Sequence, residues 1–121
     1  QSNAKLIAEK LGYIGVMCVE YFIDQNDNLL TNEIAPRVHN SGHLTINAFN
    51  VSQFENHIRA VCDLKMKPIE KISNAEMNNI LGSEIKEFRK KSYSDKEFFF
   101  DYQKKEIKDK RKMGHLTILE G

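Results

Sequence analysis

The sequence predicts an α+β fold: an antiparallel β-hairpin sheet with flanking helices, followed by a small β-rich domain. Three observations carry the prediction. Two runs rich in β-branched, aromatic and other apolar residues lie on either side of the turn cluster Asp24-Gln25-Asn26-Asp27-Asn28. Helical spacing flanks this hairpin, with Ile7, Ala8 and Leu11 before it and Phe54, Ile58, Val61 and Cys62 after it. Beyond a charged connector containing Pro68, short strand-like runs return at 74–81, 97–102 and 113–119.

Taken in order, residues 5–11 read as the end of a helix that Gly12 stops. Residues 13–23 form a strand pattern with two largely apolar faces. Ile14, Val16, Cys18, Glu20 and Phe22 share one, and Met17, Val19, Tyr21 and Ile23 the other, which predicts a central strand covered on both sides. The second strand covers 29–35 and ends at Pro36. Ser52-x-x-Glu55 is a capping box that opens the next helix, with His57 and Arg59 on its flank or surface. The domain boundary falls in the connector, giving domains at 5–63 and 64–121. Residues 1–4, Gln-Ser-Asn-Ala, look like the remnant of a cleaved purification tag. In the second domain the first strand places Ala75, Met77, Asn79 and Leu81 on one face. Ser83 then caps a short helix that turns Ile85 and Phe88 inward, and Phe98-Phe99-Phe100 marks a strand buried on both sides.

Composition excludes several classes of function. Eighteen basic residues face 17 acidic ones, a net charge of +1, so no global charge argues for nucleic acid or a membrane surface. No apolar run reaches the length of a membrane span, and no secretory signal is visible. Cys18 and Cys62 have no C-x-x-C or Cys/His spacing and read as buried free thiols in a reducing, cytoplasmic compartment.

The hairpin is where chemistry concentrates. A turn at 25–28 gives the ladder 24:29, 23:30, 22:31, 21:32 and 20:33, and directly opposed residues share a face. Glu20 therefore stands opposite Glu33, a repulsive pair. Either both carboxylates are solvated on an open face, or a hard divalent cation bridges them together with substrate phosphates. Arg37, His39, Asn40, Ser41 and His43 follow within seven residues. The Arg fork suits carboxylate, phosphate or bicarbonate, His39 and Asn40 add directional hydrogen bonds, and Gly42 lets backbone approach a ligand. The nine residues 104–112 hold six basic side chains, which by composition make a solvated loop or a phosphate or nucleic-acid patch.

Four segments carry a resemblance: V-M-C-V-E-Y-F (16–22), N-E-I-A-P-R-V-H-N-S-G-H (32–43), S-Q-F-E-N-H-I-R-A-V (52–61) and Y-Q-K-K-E-I-K-D-K-R-K-M-G-H (102–115). In order and spacing they resemble the N5-carboxyaminoimidazole ribonucleotide synthetase family of ATP-grasp ligases, and the likeness covers nearly the whole chain from Lys5. It implies an ATP-dependent carboxylase of purine synthesis, of which this chain is the C-terminal part of an ATP-grasp domain plus the small domain after it. Such a fragment is expected to be inactive by itself, because the adenine pocket and phosphate-covering loop of the family lie ahead of Lys5.

The resemblance further implies Mg²⁺ (or Mn²⁺) at Glu20 and Glu33, and ATP beside Asn32 and Glu33. Arg37, His39 and Asn40 take catalytic roles at bicarbonate, and Ser41, Lys104, Arg111 and Lys112 bind the ribonucleotide. The implied partners are small molecules (ATP, bicarbonate and 5-aminoimidazole ribonucleotide) and a second subunit in a homodimer, with no nucleic acid and no membrane. The chain departs from the family where Lys108-Asp109-Lys110 replaces Arg-Pro-Gly, so that turn loses two pre-organising residues. The formate-dependent glycinamide ribonucleotide transformylases, also ATP-grasp ligases, share a P-R-x-H loop but read H-D-T-G-M where this chain has His39-Asn40-Ser41-Gly42-His43. A non-catalytic phosphate- or nucleic-acid-binding module is the alternative from another class.

Overall fold

The computed structural model describes residues 2–120. They fall into two compact units that interleave along the chain. Residues up to His43 together with Val51–Ile69 make the first, and Leu44–Asn50 with the residues from Glu70 onward make the second. Compared with a division at 63/64, the stretch 44–50 joins the later unit and 64–69 the earlier one.

In the first unit, α1 (Ser2–Leu11) includes Ser2, Asn3 and Ala4 in its first turn. It ends where the Gly12 N–H donates to the Glu9 carbonyl (3.1 Å) and the Tyr13 N–H to that of Ala8 (3.0 Å), a closing motif that satisfies otherwise orphaned carbonyls. β1 (Cys18–Ile23) is shorter than the predicted 13–23 and pairs, among the described residues, only with β2 (Leu29–Ala35). The expectation of a central strand is thus corrected. Gly15 at φ +132° breaks the extended run, and the Val16 N–H donates to His57 Nδ1 (3.1 Å) instead of a neighbouring strand. At the hairpin turn Asp24 Oδ1 accepts from the N–H groups of Asn26 and Asn28, both at 2.8 Å. The Asn28 side chain and then these backbone bonds hold the Asp24 carboxyl below its ordinary range.

The ladder differs from the predicted one in an instructive way. Ile23 pairs with Leu29, Phe22 with Leu30 and Tyr21 with Thr31, one residue out of the expected register. A bulge then sets Asn32 between Thr31 and Glu33, so Glu20 still meets Glu33.

α3 (Gln53–Val61) starts as expected, with Ser52 Oγ accepting from the Glu55 N–H (3.1 Å). Its covered face is the opposite of the predicted one: Gln53 and Asn56 are buried, whereas Phe54, Ile58 and Val61 are exposed, as is Cys62. Within this unit polar contacts engage the helix, Lys67 from outside it and Arg59 from its own next turn. The Glu55 carboxylate pairs with Arg59 (2.8 Å) and Lys67 (2.7 Å), and the Lys67 hydrogen bond first, then Arg59, lowers its proton affinity.

The second unit is a sheet in the order β3 (Ala75–Leu81), β5 (Lys112–Leu119), β4 (Glu97–Asp101), antiparallel throughout. One face packs Ile80, Met113 and Leu116 against Ile85 of α4 (Ile85–Phe88), with Phe88, Tyr93, Phe99 and Ile118 around them. A bulge after Ile80 turns Met113 onto this face. Leu81 donates its N–H to Glu84 (2.9 Å), so Glu84, not Ser83, closes the turn before α4. Phe99 alone of the phenylalanine triple packs on the core. Phe98 and Phe100 alternate to the other face and are exposed, which corrects the expectation of burial on both sides. There Phe100 stacks on buried His115 with centroids 5.4 Å apart. α2 (Thr45–Ala48) belongs to this unit, its Ala48 carbonyl accepting from the Ile72 N–H (2.8 Å). Among the described residues no helix is long and apolar enough to cross a membrane.

Arg89 clasps Asp101 by donating from Nε (2.7 Å) and Nη2 (3.2 Å), and this pairing chiefly holds the Asp101 carboxyl below its ordinary range. A carboxyl whose proton affinity falls on folding stabilises the fold above its unfolded pKa, about 3.9, and loses that contribution as pH drops further. Asp101→Asn is therefore expected to cost about 0.5–1 kcal/mol at neutral pH, discounted for the exposed Arg89. Urea titrations of both proteins at falling pH should show the gap closing below about pH 3.9.

Candidate active site

The first unit brings together Glu20, Asn32, Glu33, Arg37, His39 and Ser41. The bulge is what recruits Glu33: continued without it, the turn-side ladder would set Asn32 opposite Glu20 and turn Glu33 away, whereas here Glu33 faces Glu20 and Asn32 Nδ2 donates to Glu20 Oε2 at 3.3 Å. His39 approaches the same carboxylate from the loop, with Nε2 3.2 Å from Glu20 Oε1. The Ser41 backbone N–H donates to His39 Nδ1 (3.3 Å), with Ser41 Oγ 2.9 Å away, so the neutral ring carries its proton on Nε2, facing Glu20. Glu33, at the facing position of the ladder, lies 4.0 Å from the Arg37 guanidinium, which also donates to the Val38 carbonyl (2.9 Å). Asn40 opens the 3-10 turn Asn40–Gly42, and its carbonyl accepts from the His43 N–H.

Gln53 holds this loop in place, and reading the sequence missed it. Its Oε1 accepts from the His39 N–H (2.9 Å), and its Nε2 donates to the His39 carbonyl (2.7 Å) and to His43 Nδ1 (2.8 Å). The position was hidden inside a capping box, where the first helical residue has no assigned role. Gly42 is the space this contact needs: a Cβ there would collide with Gln53 Oε1. His57, expected on the flank or surface, instead accepts from Val16, 41 residues earlier, and Gly15 leaves room for its ring.

The donor set suits a cation. The opposed carboxylates offer the oxygen ligands a hard divalent ion requires, and such an ion would relieve the Glu20–Glu33 repulsion. One group of three metal-ligating side chains also forms among the described residues: Cys18, Glu20 and His39, with donor atoms within 4.8 Å of one another.

Lys104, Arg111 and Lys112 lie in the second unit. Lys104 Nζ donates to the Lys112 carbonyl (2.6 Å) and sits 5.4 Å from the centre of the Tyr102 ring, so the loop is stapled at its base. The Arg111 N–H donates to the Lys108 carbonyl (3.2 Å), and Arg111's own carbonyl accepts from Gly82 (2.9 Å). The turn at 108–111 therefore forms without Pro and Gly, at the cost of Lys110 in the left-handed region at φ 57°. The Arg111 and Lys112 side chains are exposed.

A family model for the ATP-grasp domain matches residues 1–54, and one for the phosphoribosylaminoimidazole carboxylase C-terminal domain matches 75–121. The N5-carboxyaminoimidazole ribonucleotide synthase of Bacillus subtilis is 43% identical over 115 residues, 94% of this chain and 30% of that protein. The crystal structure of N5-carboxyaminoimidazole synthetase from Staphylococcus aureus complexed with ADP matches with a TM-score of 0.86 and 41% identity, covering 99% of this chain and 33% of its own. The Aspergillus clavatus enzyme in complex with ADP and 5-aminoimidazole ribonucleotide matches with a TM-score of 0.81 and 32% identity, covering 99% of this chain and 35% of its own. The chain thus spans about a third of the length of these relatives.

Gln53→Ala should destabilise the first unit by about 1–3 kcal/mol, because it leaves the His39 N–H and carbonyl without their partner. Hydrogen exchange should then show faster exchange of the His39 amide, and Gly42→Ala should produce the same local signature by displacing Gln53. Lys110→Gly removes left-handed strain and should raise stability by about 1 kcal/mol in a thermal melt.

Proposed function

Because the chain belongs to the N5-carboxyaminoimidazole ribonucleotide synthase family, we propose that the whole protein carboxylates 5-aminoimidazole ribonucleotide with ATP and bicarbonate. ATP transfers its γ-phosphoryl group to a bicarbonate oxygen, releasing ADP. The carboxyphosphate breaks its C–O bond to give carbon dioxide and phosphate. The exocyclic amine of the ribonucleotide then forms the new N–C bond and loses a proton. Such a reaction asks the protein for position and charge neutralisation more than for covalent help.

On this reading Glu20 and Glu33 hold Mg²⁺ or Mn²⁺, which when bound neutralises the phosphate oxygens, and Asn32 with Glu33 lies beside the nucleotide. Arg37 supplies a planar cation for bicarbonate. His39, its Nδ1 committed to Ser41, presents Nε2–H as a donor to the developing anion, with Asn40 next to it in the loop. Ser41 and the cationic group Lys104, Arg111 and Lys112 bind the ribonucleotide, Lys104 and Arg111 at its 5′-phosphate. The protein works as a homodimer in the cytoplasm and needs no nucleic acid or membrane. The observation that carries the reading is the hairpin, where Glu20 and Glu33 stand opposed with Asn32 bulged onto their face.

The experiment follows ADP release by the whole protein with bicarbonate and Mg²⁺. Stimulation by aminoimidazole ribonucleotide alone is expected; stimulation only by glycinamide ribonucleotide with formate would transfer the protein to the transformylases. Silence with both, together with strongly salt-dependent RNA or DNA binding, would favour a binding module. Glu33→Gln should lower kcat for ADP formation by about 100-fold or more. Arg111→Ala should raise the KM for ribonucleotide about 10- to 100-fold with kcat nearly unchanged.

A further inference from the structure

Cys18 is the one side chain of the first unit's donor cluster that the carboxylase reading does not use. It lies two residues before Glu20 on β1, so the strand's alternation turns both side chains to one face. His39 reaches that face from the loop, and the thiol, a carboxylate oxygen and a ring nitrogen all lie within 4.8 Å of one another. Ligand atoms around a tetrahedral zinc stand roughly 3.3–3.8 Å apart, given bonds of about 2.0–2.3 Å. A small rotation of the Glu20 carboxylate, whose side chain is 41% exposed, closes the set.

We propose that Cys18, Glu20 and His39 form a site for a borderline-soft divalent cation of the zinc class, distinct in ligand type from the hard-cation pair Glu20 and Glu33. Thiolate, imidazole and carboxylate together select zinc or cadmium over Mg²⁺, which disfavours sulfur. For His39 to ligate through Nε2 its proton moves to Nδ1, which then donates to Ser41 Oγ, 2.9 Å away, in place of accepting from the Ser41 N–H. The thiol gives up its proton to solvent, so one proton is released for each ion bound. Three protein ligands leave a fourth position open to water. Since Glu20 belongs to both sets, zinc and Mg²⁺ exclude each other there. Cation binding stands on the donor geometry alone, and only its inhibitory consequence for turnover rests on the carboxylase reading.

The test needs no variant at first. The reduced protein is alkylated with iodoacetamide, with and without Zn²⁺, and modification at Cys18 and Cys62 is followed separately by peptide mass spectrometry. Zinc is expected to slow alkylation of Cys18 at least about tenfold and to leave exposed Cys62 unchanged, and Mg²⁺ should protect neither. Equal Cys18 alkylation with and without zinc would overturn the site, as would equal protection by Mg²⁺. A Cd²⁺ titration read by thiolate charge-transfer absorption gives the second arm. The band should persist in Cys62→Ser, vanish in Cys18→Ser, and require at least about tenfold more Cd²⁺ in His39→Asn. A band that survives Cys18→Ser at full intensity refutes the assignment.

Discussion

β2 holds one residue more than β1 can pair, and this surplus residue, Asn32, decides which side chains share a face with Glu20. Side-chain direction in a strand has a period of two, so one extra residue is the smallest change that reverses it. Here the reversal lies between Thr31 and Glu33: residues on the turn side follow one phase, and Glu33 onward follow the other. The result is two opposed acids, an arrangement a plain hairpin would avoid. Asn32 and His39 each direct an N–H at Glu20, while Arg37 stands nearer to Glu33, so each carboxylate is met by its own partner.

Hydrogen bonds, more than apolar burial, keep the loop in register with this face. The Gln53 carboxamide uses its oxygen and its amino group on His39 and His43, and His57 ties the middle of α3 to the segment before β1. Contacts of this kind tolerate little displacement, since they weaken within a few tenths of an ångström and a few tens of degrees. A site that must fix the direction of one imidazole proton gains from being held this way. An apolar contact at the same place would permit sliding.

Much of this was legible in the residues. The turn cluster at 24–28, the Ser52 cap, the antiparallel hairpin of the first unit, the presence of strands in the second and the Glu20–Glu33 pairing all follow from local chemistry and alternation. The pairing emerged from a ladder displaced by one residue on the turn side, because a bulge leaves no compositional mark that periodicity can detect. The face of α3 was read by the rule that apolar residues are covered, and that rule fails where a helix docks through Gln53 and His57. Phe98 and Phe100 looked buried for the same reason. Gln53 and the Cys18 thiol were illegible as site residues because what they do depends on His39, which is distant in sequence.

The interleaving of the two units has a consequence for modularity. The chain leaves the first unit after His43, returns at Val51 and leaves again after Ile69. Leu44–Asn50 is no mere linker, since the Ala48 carbonyl, Phe49 and the Asn50 amide bond to residues 70–72 of the later unit. No single cut separates the units intact. A break anywhere in the connector strips the later unit of a segment it hydrogen-bonds, and a break near residue 44 strips the earlier unit of α3 and with it Gln53. A segment exchanged with a relative at one cut would therefore carry an incomplete piece of at least one unit.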